Sequence, residues 1–190
     1  MKTFSHFFGI GVAVALFSGC AHRSNSEAAT ATPTRPSGYV MVREYVDSVK
    51  TDRGDVYQKV QYGWDYDQIS AVQRISSMDG KLISAHAEPN LTLETTPKEL
   101  EYAFALVRQH PELRKMASRF DALISGGFSL TTDPSEAGAA NTECGAKSRC
   151  IHVIISGGVD GEKSLAHAIV NLASGIVVDP HYRGEKTFVN

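Results

Sequence analysis

The sequence predicts an α+β domain: an antiparallel, curved β-sheet packed on one kinked helix. Three observations carry that expectation. Short runs rich in Val, Tyr and Ile alternate apolar with polar residues and are parted by turns containing Gly and Asp. One stretch, residues 96–120, switches to helical spacing behind a complete start signal. The composition, 42% hydrophobic and 21% charged, is that of an ordinary globular protein, and the 190 residues suffice for one domain with its own core.

Strand patterning begins at Tyr39. Residues 39–49 are rich in Val and Tyr, and Asp52-Arg53-Gly54-Asp55 interrupts them with turn chemistry. Val56, Gln58, Val60 and Tyr62 then alternate with Tyr57, Lys59 and Gln61, as a half-exposed strand does. Residues 63–67 (GWDYD) make a corner, residues 69–76 a third strand, and Asp79-Gly80 returns the chain into residues 81–86. These runs predict an antiparallel meander of four strands.

The helix comes next. Thr96 is placed to cap, Pro97 suits the first helical position, and Glu99 completes a capping box. Leu100, Ala103, Phe104 and Val107 recur at helical spacing and form one apolar stripe. His110-Pro111 should end or kink the helix, and Leu113, Met116, Ala117 and Phe120 predict a second segment running to about Phe120. After Gly126-Gly127, strands return at residues 128–131, 150–156, 165–172 and 176–178. Residues 133–147 read as a long loop, and Ser174-Gly175 as a tight turn between the last two strands.

Upstream of the domain the pattern is different. Lys2 precedes an apolar run at residues 7–17, closed by Phe17-Ser18-Gly19-Cys20. A positive start, a short apolar stretch and small residues at the end read as a secretory signal. The cysteine directly after Ser18-Gly19 makes this segment resemble the lipobox of bacterial lipoproteins. The resemblance implies cleavage before Cys20, acylation of its thiol (palmitate among the chains) and a membrane anchor made of lipid. It places the protein in the bacterial cell envelope, and Ala21, where an Asp would signal inner-membrane retention, favours the periplasmic face of the outer membrane. Residues 1–19 are then the signal and residues 20–37 the acylated cysteine with a disordered tether rich in Ala, Ser, Thr and Pro. Residues 38–190 form a single α+β domain.

Removing residues 1–19 takes away Lys2 alone among the charged groups, so 18 Lys and Arg stand against 21 Asp and Glu, a net −3. That balance argues against nucleic acid as a partner.

Few residues invite chemistry. Cys144 and Cys150, with five residues between them, predict a disulfide in an exported protein; the spacing and context of a redox-active pair are absent. So small a loop is worth roughly 2 kcal/mol on the chain-entropy model. His152 and His167 fall on strands expected to be neighbours, and Asp179 and His181 follow in VVDPHYR. These four are the candidate ligands for a metal-binding or enzymatic role, although no HExxH or CxxC frame is present and neither metal nor cofactor is expected. No GxSxG elbow or SxxK pair points to a hydrolase, and Ser156-Gly157-Gly158 runs toward a strand rather than a helix N-terminus. Tyr57, Tyr62, Trp64 and Tyr66 crowd one end of the meander, either as core or, where two or more are exposed, as a partner or glycan surface.

The half from Thr96 onward is helix followed by strands. Its close, AHAIVNLASGIVVDP, is similar to the final hairpin of PepSY-like repeats and of the cystatin-like N-terminal modules of copper amine oxidases, with Val170, Leu172, Gly175 and Val177 matching and Asn171 where Asp is usual. TPKELEYAFALV looks like the helix of those modules. The resemblance implies a helix wrapped by an antiparallel sheet and a binding, inhibitory or accessory role, with no catalytic residues carried over. The expected function is thus a lipid-anchored envelope protein, not an enzyme, whose domain binds a protein, peptide or cell-wall partner.

Overall fold

The structure, a computed structural model, describes residues 34–130, 142–145 and 147–183. Local turn chemistry builds its first sheet. β1 (Tyr39–Thr51) and β2 (Gly54–Asp65) pair antiparallel along their whole length. Gly54 takes a φ of +109° to close that hairpin, with the Thr51 hydroxyl donating to the Gly54 carbonyl at 2.7 Å. β3 (Ser70–Ser77) and β4 (Leu82–Ala87) follow as successive antiparallel neighbours across the Asp79-Gly80 turn.

The helix forms as its start signal dictates. α1 (Pro97–Gln109) has Thr96 as cap and Pro97 in its first turn. The Glu99 amide donates to the Thr96 hydroxyl, and the Glu99 carboxylate accepts from the Thr96 amide. His110, ahead of Pro111, adopts extended backbone and ends the helix. The second segment, α2 (Arg114–Ala117), is a single turn, not a helix reaching Phe120, and Phe120 is fully exposed. The chain has to turn there to enter β5 (Leu123–Leu130). β6 (Cys150–Gly157), β7 (Lys163–Asn171) and β8 (Ile176–Asp179) complete a second antiparallel meander.

The architecture is α+β, dominated by strands, but the single curved sheet expected from the sequence is replaced by two. The orders are β1-β2-β3-β4 and β5-β6-β7-β8, with no ladder between them among the described residues. Segment 93–95 flanks β5 through side chains instead: the Thr95 hydroxyl donates to the Gly127 carbonyl and the Ser129 hydroxyl to the Leu93 carbonyl, each at 2.5 Å. Extended runs alone do not say which meanders share a ladder.

One core joins the two sheets. Tyr102, Ala103 and Val107 of α1 bury against Ile151, Val153, Ile155, Ala168 and Val170, which alternate along β6 and β7. Trp64, Tyr66 and Ala71 enter the same cluster from the near end of the first sheet. Each large aliphatic side chain removed from water here contributes about 1.5–3 kcal/mol. A smaller cluster of Cys144, Cys150 and Ile169, with Leu130, Val178 and Tyr182, occupies the other face of the second sheet.

Candidate functional site

At the junction of the sheets lies a buried ionic group. Glu99 is fully buried and Arg149 nearly so. The Arg149 Nε donates to Glu99 Oε1 at 3.1 Å and Nη2 to Oε2 at 3.2 Å, a bidentate pair. Its remaining N–H groups go to the Leu93 and Glu94 carbonyls and the Ser129 hydroxyl, so all five guanidinium donors have acceptors. Tyr66 donates to Glu99 Oε1 at 2.6 Å, and the Arg149 guanidinium lies 5.8 Å from the Trp64 ring centre. Burial pushes the Glu99 carboxyl up, but hydrogen bonding and charge from Arg149 outweigh it and hold the group below its ordinary range. Burial and the neighbouring Glu99 charge push the Tyr66 hydroxyl well above its usual value. A closed, fully satisfied network of this kind ties segments together and leaves no group free for chemistry.

The first sheet offers a surface instead. Its near end is in the core, but β1 beyond Val42 and β2 before Gln58 are exposed throughout. Register places Tyr45, Val49 and Val56 on the face that carries Val60 and Tyr62 nearer the core. It places Val46 and Tyr57 on the opposite face. All five of the distal residues are exposed apolar or aromatic side chains. Tyr45 stacks on Tyr62 with ring centres 6.3 Å apart, and Arg43 covers Tyr62 at 5.0 Å.

The four aromatics singled out by sequence do not share one surface. Trp64 and Tyr66 are buried, Tyr62 is half-buried, and Tyr57 is exposed on the opposite face from Tyr62. Burial follows position: Trp64 and Tyr66 sit where the sheet meets α1. The exposed aliphatic half of the hairpin escaped the sequence reading. Its signal was there, since residues 43–50 (REYVDSVK) mix charged and apolar residues at both parities and so define no core face.

His152 and His167 do come together. They are diagonal neighbours on one face of β6–β7, Nε2 to Nδ1 at 2.9 Å, with the rings stacked 5.0 Å apart. His167 Nε2 meets the Ser164 hydroxyl at 2.7 Å, and Tyr182 sits edge-on to His152 at 5.3 Å. Burial, then the neighbouring His167 charge, lower the His152 pKa. Asp179 pairs with Ile169, which lies between it and His152, and His181 turns away to Glu112 at 2.6 Å. Among the described residues no group of three or more His, Cys, Asp or Glu is placed to hold a metal ion.

Cys144 and Cys150 are bonded, their Cα atoms 5.6 Å apart. Cys20 lies outside the described residues. No helix among the described residues is long and apolar enough to cross a membrane. No family model and no curated protein sequence matches this chain.

Proposed function

We propose that the chain is a lipid-anchored cell-envelope protein whose domain acts by binding, with the projecting half of its first sheet as the partner surface. The observation that carries this reading is the exposure of Tyr45, Val46, Val49, Val56 and Tyr57 on strands that run past the core. Exposed apolar side chains grouped on one face, as Tyr45, Val49 and Val56 are, support reading that face as an interaction surface. The anchor rests on Cys20 and the lipobox-like residues before it. A helix that feeds an antiparallel meander, as α1 feeds β5–β8, is also the element order implied by the PepSY-like and cystatin-like resemblance. Kinship with those modules is part of the proposal.

Replacing Cys20 by Ser in the full chain should release the protein from membranes or stall its processing; unchanged membrane fractionation would refute the anchor. For the binding role, cross-linking in intact cells from Tyr57 should capture a specific partner that α1-face substitutions leave untouched, and capture of none would refute it. The second reading, a metal-binding or enzymatic factor using His152, His167, Asp179 and His181, has the His152–His167 contact in its favour. Metal analysis of purified protein discriminates the two.

A further inference from the structure

We propose that the occupant of the projecting sheet is a second copy of this chain, paired antiparallel through β1 about a twofold axis at Tyr45. This deepens the binding reading and rests on it. β1 stands at the end of its sheet, so one rim of a 13-residue strand is unpaired among the described residues. Such rims recruit another strand unless charge or irregularity prevents it. β1 carries Arg43, Glu44, Asp47 and Lys50, which would ordinarily serve to prevent it.

Their order decides otherwise. In an antiparallel pairing of a strand with itself, facing residues share a side of the sheet, so the axis must pass through a residue. An axis at Arg43, Glu44 or Asp47 sets like charges face to face, which is unfavourable. One at Val46 or Ser48 pairs no opposite charges. At Tyr45, Arg43 faces Asp47 of the second copy at both ends of the contact, and Tyr45 faces Tyr45. Glu44, which accepts from Gln61 Nε2 at 2.6 Å, faces Val46. Tyr45 is also held in place by its stack on Tyr62, so little freedom is lost when a second ring packs beside it. The pairing extends each four-stranded sheet into one of eight.

The test uses the full chain in mild detergent and in intact cells. On oxidation, the Tyr45→Cys variant should give a disulfide-linked homodimer, because facing Cβ atoms lie about 5 Å apart. The Lys50→Cys variant should not, since its two copies would be offset by ten residues, about 34 Å. Independently, Arg43→Glu should weaken dimerisation in sedimentation by about tenfold, and adding Asp47→Arg should restore it. A monomer at all concentrations, equal cross-linking at both cysteine positions, or a double variant as weak as the single one overturns the proposal. An adduct of Tyr45→Cys with a different polypeptide also overturns it, while leaving the binding reading standing. Monomers with no adduct of any kind remove both.

Discussion

Replacing Arg149 by Met removes the guanidinium and keeps most of the apolar stem. Glu99 then remains fully buried with only Tyr66 and Thr96 to donate to it, the Glu94 carbonyl loses its Arg149 donor, and the Leu93 carbonyl keeps only the Ser129 hydroxyl. Breaking a buried pair in this way costs about 3–5 kcal/mol, because an uncompensated charge stays behind. For a domain of this size each kcal/mol lowers Tm by about 2–4 °C, so a drop of about 10 °C is expected. Urea unfolding at constant m-value measures the loss. The pH dependence supplies an internal check. In the native chain the Glu99 pKa is depressed, so its contribution is full above the ordinary value of 4.5 and is lost as pH falls through the folded pKa. In the variant, burial without Arg149 pushes that carboxyl up, and protonation relieves the penalty. The stability gap must therefore narrow toward acid pH. A loss under about 1 kcal/mol at neutral pH, or a gap that widens on acidification, would refute this account of the junction.

Two other expectations follow from the second sheet. Reducing the Cys144–Cys150 bond should lower stability by roughly 2 kcal/mol, read as a shift in urea midpoint with and without reductant; no shift would show that the loop is held by other contacts. The depressed His152 pKa makes stability full above its ordinary value of 6.5 and declining as pH falls toward the folded pKa. Unfolding curves at about pH 7.5 and about pH 5.5 should therefore differ more for the native chain than for His152→Gln, and equal differences would count against it.

Much of the local architecture was legible in advance. The capping box at Thr96, Pro97 and Glu99, the turns at Gly54 and Gly80 and the stop at His110-Pro111 are decided within a few residues, by backbone dihedrals and neighbouring hydrogen bonds. Where the reading failed, the deciding contact was distant. Phe120 fits the helical spacing of Leu113 and Ala117, yet the route into β5 leaves it in water. Glu99 was recognised as a cap, but its bond to Arg149, fifty residues on, was not, because no periodicity links the two.

What the sequence determines by itself is the set of elements, their order and hairpin partners, because short-range sterics and alternation suffice for these. It also supplies the expectation of an anchored Cys20. The tertiary structure alone decides that the eight strands split into two sheets and that Trp64 and Tyr66 face inward while Tyr57 stays in water. It likewise decides which strands extend beyond the core. Those outcomes depend on which surfaces meet, and the free energy of burial is a property of the pair of surfaces rather than of either segment.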